Sequence, residues 1–200
     1  MKHLLLLYCL CLPFGLYAQD YPAYDSLLMV DTLQALNHFE SKYSAQTDPE
    51  QKVRSGLKIV DHYVHVTGET DKAVSFANDL EPYVLKRIPE MTISIEMARA
   101  KAYDYGGIFD RAAEHHLKVI DLGKEQEQLE LVAVASLDLG ILYKFQGQLD
   151  QALKYNRLAL TYDSLIGDRI GLAADFNNLA GSLRKESSWI AHCSTTERPI

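Results

Sequence analysis

The sequence predicts an all-α fold, a solenoid of about four stacked helix pairs, and three observations carry that prediction. The chain repeats itself every forty residues: Tyr103, Gly107, Phe109, Asp110 and Ala112 fall on Tyr143, Gly147, Leu149, Asp150 and Ala152, and Leu139 falls on Leu179. Small residues fall on small ones and large apolar ones on large ones. Within each unit the apolar positions recur at helical spacing, first in Leu139, Gly140 and Tyr143 and then, after a glycine, in Ala152, Tyr155, Ala159 and Leu160. Finally, 6 Pro and 11 Gly in 200 residues are too few for a turn-dense β-sandwich.

The first element is not part of this array. Lys2 is followed by the apolar run Leu4 to Leu12, then Pro13, Gly15 and Leu16-Tyr17-Ala18. A positive start, a short apolar run and a small residue before the cut make a secretory signal peptide over 1–18, cleaved after Ala18. The run is too short for a permanent span, which needs about 20 residues. Tyr8 and Leu10 are too bulky for the positions that precede a lipid-modified cysteine, so Cys9 and Cys11 are not read as a lipid anchor. Removal of 1–18 takes away Lys2 and changes the net charge from −7 to −8. It also leaves Cys193 as the sole cysteine, so the mature chain has no intramolecular disulfide and relies on its core. The negative charge argues against nucleic-acid binding, which needs clustered Lys and Arg. With 48% apolar and 24% charged residues, neither a disordered chain nor a polytopic membrane protein is expected.

Residues 19–49 form an N-terminal helical segment. Within it, residues 25–46 read as an amphipathic helix through Leu28, Leu33, Leu36 and Phe39. Asp48-Pro49-Glu50 marks the start of the next helix. A faint unit follows, with Gly68, Ala73, Phe76 and Leu80 aligning to the turn and second helix of the later units. Its first helix is ambiguous by one residue, because either Tyr63 or Val64 can take the tyrosine position. Pro82 and Pro89 are expected to limit its second helix or begin the next linker. The two clear units follow, each an antiparallel pair in which Gly140 and Ala152, or their equivalents, allow close approach. Neither pair can bury its apolar stripe alone, and stacking on neighbours does so. Gly123 to Gln128 and Gly167-Asp168 sit between units, and the charged run Lys124 to Glu130 reads as a wet linker.

The run Leu139-Gly140-x-x-Tyr143-x-x-x-Gly147-x-Leu149-x-x-Ala152 resembles the tetratricopeptide repeat. Tyr103-x-x-x-Gly107-x-Phe109-x-x-Ala112 is a second match, and Phe176-Asn177-Asn178-Leu179-Ala180 resembles the start of a third. The resemblance covers about residues 50–186 and implies a right-handed solenoid of helical hairpins, in a variant whose period is forty rather than thirty-four. After Leu183-Arg184-Lys185 the pattern calls for a glycine turn and a second helix. Residues 187–200 do not supply them, and this tail reads as irregular or truncated, with a genuine unusual cap as the alternative. A first helix left without its second would expose Phe176, Leu179 and Leu183, a face open to pairing with a second copy.

The resemblance also implies a site. In this family the first helices line a concave groove that binds proteins or peptides. Carried over unit by unit, the groove positions are Met97, Lys101, Asp104 and Tyr105; Leu137, Asp138, Ile141, Lys144 and Phe145; and Asn177, Asn178, Gly181 and Arg184. Met97, Leu137 and Asp138 stand where the carboxylate-gripping members of the family need polar or basic groups, so that mode of recognition is not expected. The charges at Lys101, Asp104, Asp138, Lys144 and Arg184, the amides of Asn177 and Asn178, and the rings of Tyr105 and Phe145 suit an extended or helical peptide. His62-x-x-His65 and His115-His116 lack a third ligand at metal spacing and are expected to be solvated or groove-lining. Asp110 and Asp150 recur with the unit and are assigned to helix starts rather than acid–base chemistry. No phosphate loop, nucleophile elbow or zinc-protease motif is present in the sequence. The expected function is non-catalytic protein or peptide binding, without a cofactor, metal or membrane span, in the periplasm or outside the cell. The alternative is the sensory region of a longer histidine kinase or transcriptional regulator.

Overall fold

A computed structural model describes the backbone of residues 32–196 and the side chains of residues 33–185. The signal peptide, the helix start at 25–31 and Cys193's side chain therefore lie outside the described residues. Eight α-helices follow one another: α1 (Thr32–Ala45), α2 (Pro49–His62), α3 (Thr70–Arg87), α4 (Thr92–Tyr105), α5 (Phe109–Glu125), α6 (Leu129–Phe145), α7 (Leu149–Ile166) and α8 (Arg169–Thr196). A π-helical turn over Tyr63–Thr67 ends α2, and a 3-10 turn over Pro89–Met91 precedes α4. Among the described residues there is no strand, and none of the helices is long and apolar enough to cross a membrane. Each helix packs chiefly against its neighbours in sequence, and α2 on α4 and α6 on α8 add contacts between successive first helices.

Local chemistry sets the helix boundaries. The backbone N–H of Gln51 donates to Asp48 Oδ1 at 2.9 Å, and Pro49 fills the first helical position, where no N–H is needed. The turns inside the two clear pairs end at Gly107 and Gly147, with φ of 70° and 77°. In both, the residue after the glycine donates back to the tyrosine carbonyl five positions earlier: Ile108 to Tyr103 and Gln148 to Tyr143, each at 2.9 Å. This six-to-one bond satisfies a carbonyl that the helix end leaves open. Asp110 and Asp150 sit in the first turns of α5 and α7, where negative charge meets the positive helix end.

The π-helical turn explains the one-residue ambiguity of the first unit. Glu69 donates to Tyr63 O at 2.8 Å, the bond that Ile108 and Gln148 make in later units, but across six residues. Tyr63 therefore takes the tyrosine's hydrogen-bonding role, while Val64 takes the buried position. One extra residue is absorbed in the wider turn.

Two expectations about the linkers are corrected. α3 runs through Pro82 to Arg87, forgoing one main-chain bond while burying Leu80 and Val84 on either side of the proline. Only Pro89 acts as a boundary. The run Lys124 to Glu130 is not a linker, because α5 continues to Glu125 and α6 starts at Leu129. The longer period thus lengthens the helices. The tail is also more regular than expected, since α8 is helical as far as Thr196.

The core is a series of clusters between stacked helices. Val53, Leu57, Val60, Leu80, Val84 and Ile95 join α2, α3 and α4. Ile93, Met97, Val119, Ile120, Val132, Leu139 and Tyr155 join α4 to α7. Met97 belongs to this core and not to the groove. Ala112, Ala152 and Ala159 are fully buried, and a Cβ at Gly140 would collide with Asn156 Oδ1, so close approach does depend on the small residues. Phe176 is 59% exposed and Leu183 is 42% exposed on α8.

The junctions between pairs are closed by one recurrent residue. Gly167, between α7 and α8, has φ of 75°, and Asp168 donates to Asp163 O. Forty residues earlier Glu127 holds φ of 57°, and Gln128 donates to Gly123 O in the same way. The left-handed conformation costs a side-chain-bearing residue roughly 1–2 kcal/mol, less the roughly 0.5–1 kcal/mol that glycine loses on ordering. Glu127 is exposed, and no hydrogen bond or ion pair holds its side chain in the described structure. Glu127→Gly is therefore expected to stabilise the fold by about 0.5–1 kcal/mol, read as a higher urea midpoint at unchanged slope. A lower midpoint would show that the turn does not carry this strain.

Candidate binding groove

The first helices α4, α6 and α8 carry the predicted groove positions, and named contacts tie them, with the end of α2, into one surface. Tyr105, the last residue of α4, is 60% exposed, and Phe145, its equivalent on α6, is 71% exposed. The His65 ring from the end of α2 meets the Tyr105 ring edge-on, with centroids 4.6 Å apart. Lys101, half-buried, acts electrostatically on Asp61 from α2, on His65 from the π-helical turn that follows it, and on Asp138 from α6. Loss of water pushes the Asp138 carboxyl up, against the pull of His116 and Lys101. Asp104 accepts from His116 Nε2 at 2.7 Å, which fixes the carboxylate from behind.

The α6–α8 side is amide- and cation-rich. Lys144 Nζ donates to Asn178 Oδ1 at 3.0 Å, and Asn178 Nδ2 donates to Ala174 O at 3.1 Å. Lys185 Nζ donates to Lys144 O at 2.8 Å. Loss of water, then the charge of Lys185, pushes the Lys144 ammonium down from its ordinary value. Asn177 and Arg184 are exposed on the same helix. The surface is therefore mixed and polarised: carboxylates with Lys101 lie toward α2, and Lys144, Arg184 and Lys185 lie toward α8. It is not a deep pocket. A shallow pocket of about 130 Å³, lined by Thr70, Asp71, Val74, Ala102, Tyr103 and Ile108, lies between α3 and α4 instead.

His65 was expected as a solvated or groove-lining residue, whereas two residues of this surface were not singled out from the sequence as groove positions: Asp61 and Lys185. The repeat register points to both, since Asp61 stands forty residues before Lys101 and Lys185 stands forty after Phe145. The faintness of the first unit and the break in pattern after 186 hid them.

Of the four histidines expected to be solvated or groove-lining, His65 lies half-buried beside Tyr105, and the other three are placed differently. His62, His115 and His116 are buried. His115 joins a charged cluster behind the groove. Arg99, itself buried, donates from Nε to Asn78 Oδ1 at 2.8 Å and from Nη1 to Glu96 Oε1 at 2.9 Å, and its Nη1 and Nη2 span the Glu81 carboxylate at 3.0 and 2.8 Å. His115 Nδ1 reaches Glu96 Oε2 while its ring stacks on Tyr103 at 5.3 Å. Burial works against the Glu96 carboxylate, yet His115, Arg99 and Lys118 together hold it below the usual range. The cluster ties α3, α4 and α5 together. Between α7 and α8, Asn156 Nδ2 donates to Ser182 Oγ at 3.2 Å. Among the described residues no group of three or more His, Cys, Asp or Glu is placed to hold a metal ion.

His62 has no hydrogen-bond partner for either ring nitrogen and packs edge-on against Phe39 and Tyr63, at 6.3 and 6.4 Å. Loss of water pushes its imidazole below the ordinary value of 6.5, against the pull of Glu69. The unfolded chain therefore binds a proton that the folded one resists. This contribution to stability is intact at neutral pH and falls as pH drops below about 6.5, by at most ~1.4 kcal/mol per pH unit. His62→Leu is expected to lessen the loss of stability between pH 7.5 and 5, measured by urea denaturation. An identical pH profile for both proteins would show that His62 does not titrate on unfolding.

No protein-family model and no curated protein matches the chain. Solved structures do. The crystal structure of BtubC (BKLC) from P. vanneervenii aligns with a TM-score of 0.59 at 18% identity, over 91% of this chain and 78% of that one. Two crystal structures of a Podosopora anserina putative kinesin light chain with nearly identical TPR-like repeats also align. One, of a point variant, has a TM-score of 0.66 at 13% identity, over 86% of both chains, and the other a TM-score of 0.65 at 14% identity, over the whole of both. The fold is a TPR-like helical solenoid.

Proposed function

We propose that the chain is a non-catalytic binding scaffold that holds an extended protein segment along α2, α4, α6 and α8, and that it works in the cell envelope after losing residues 1–18. TPR-like folds generally mediate protein interactions. The observation that carries the binding surface is the pair of equivalent exposed rings, Tyr105 and Phe145. Each ends a rigid helix, so covering it with a ligand loses little conformational freedom, and aromatic residues dominate binding energy at protein interfaces. The polar groups beside them are already oriented: Asp104 by His116, and Lys144 by Asn178. Such groups meet a peptide backbone or side chain without a further ordering cost.

Peptides selected from a displayed random library against the full chain test this surface. Tyr105→Ala and Phe145→Ala are expected to weaken the selected peptides at least about tenfold each, roughly 1.4 kcal/mol, with unchanged helicity. Lys124→Ala, at an exposed site on α5, is expected to leave affinity unchanged. Peptides that tolerate loss of both rings, or that lose as much with Lys124→Ala, overturn the site.

The envelope location rests on Lys2, the apolar run Leu4 to Leu12 and Ala18. The intact mass of protein recovered from cells is expected to correspond to a chain beginning at Gln19. A full-length species in the periplasmic fraction would overturn it.

A further inference from the structure

The junction between α7 and α8 contains two acids where the preceding junction has small residues. Asp163 and Asp175 stand forty residues after Gly123 and Ala135. Asp163 is 5% exposed and Asp175 fully buried. The Asp163 carboxyl lies directly against Gly171, where any Cβ would collide with it. Neither oxygen of Asp175 receives a hydrogen bond from an N–H or O–H group of the surroundings. A buried carboxylate without donors is costly, and two facing carboxyls are satisfied only when one carries a proton and donates it to the other.

The charged groups that act on the pair are themselves acidic. Asp163 from α7 and Asp175 from α8 act on each other, Asp168 from the intervening turn acts on both, and no Lys, Arg or His contributes to either. Asp168 is occupied at the start of α8, where its Oδ1 accepts from the Ile170 N–H at 2.9 Å. Of the ionisable groups of α6, the third helix at this junction, Glu130 is exposed in the first turn, Asp138 faces His116, Lys101 and Asp104, Tyr143 faces Tyr155 and Asp110, and Lys144 faces Lys185.

We propose that Asp163 and Asp175 form a proton-dependent latch that sets how firmly α8 is held against α7. α8 brings Asn177, Asn178 and Arg184 to the groove, so the latch regulates one wall of the binding surface; this consequence rests on the proposed function, whereas the latch itself does not. Burial, with the charge of Asp163, raises the Asp175 carboxyl from 3.8 to about 7. Its folded value lies above its unfolded one, so the contribution to docking is fully present below about pH 4 and is lost as pH rises toward 7. One proton released per opening makes the opening equilibrium rise about tenfold per pH unit across that window. Above it both carboxyls are ionised and repel, and no counter-charge offsets them.

Hydrogen exchange on the full chain tests the latch without any ligand, so its outcome is independent of whether the groove binds peptide. The readout is protection of residues 172–185 relative to residues 133–145 in the same sample, which cancels the intrinsic pH dependence of exchange. Between pH 5 and 7.5 this ratio is expected to fall by at least tenfold in the natural sequence. Asp175→Asn, and separately Asp175→Ala, which restores the residue type of Ala135, are expected to hold the ratio nearly constant. A ratio independent of pH in the natural sequence overturns the latch, as does an undiminished pH dependence in Asp175→Asn and Asp163→Asn. If one variant fails to fold, the other and the natural sequence still decide.

Discussion

No helix of this chain can hide its apolar stripe by itself, and the whole array follows from that constraint. The stripes are covered only when helices approach closely, and close approach is set by a few small side chains. Gly140 lies against Asn156, and Ala112, Ala152 and Ala159 are completely enclosed. A bulky residue at these points would separate the helices along their length and uncover the large side chains beside them. The turns are subordinate to this packing. The glycine turns, the π-helical turn after His62 and the strained turn at Glu127 all serve to deliver the next helix at the spacing the small residues dictate.

How legible this was depended on how strictly each position repeats. Tyr103, Gly107 and Ala112 recur as Tyr143, Gly147 and Ala152, because turn geometry and close packing admit few residue types. Those positions exposed the fold at once. Where many residues suffice, the sequence said less. The passage of α3 through Pro82 was hidden, because proline's local cost is outweighed by burial of Leu80 and Val84, which no local pattern reports. The extension of α5 to Glu125 was hidden by a charged run that is exposed in a helix as readily as in a linker.

The repeat register made legible which residues share a position on successive first helices, Lys101 with Ile141 and Tyr105 with Phe145 among them, and so where a candidate groove would lie. Its internal electrostatics were not legible. That His116 would support Asp104, or that Asn178 would meet Lys144, depends on pairs of side chains from different helices. Buried histidines were misread for the same reason. A histidine in a helix is neutral evidence until its surroundings are known, and His115 is surrounded by Glu96 and Tyr103.

The buried polar contacts differ from one junction to the next: Arg99 with Glu81 and Glu96, His116 with Asp104, Asn156 with Ser182, and Asp163 with Asp175. An array of near-identical units carries an intrinsic hazard, since a helix can settle one unit out of step or on the corresponding helix of another molecule, with the apolar contacts almost unchanged. Unlike polar partners make such errors expensive. Displaced by one unit toward the N-terminus, Asp175 would face Gly123 and be left charged and alone in an apolar layer, and Asn156 would replace His116 opposite Asp104. The same contacts that add little to net stability thereby give each helix a single address within the stack.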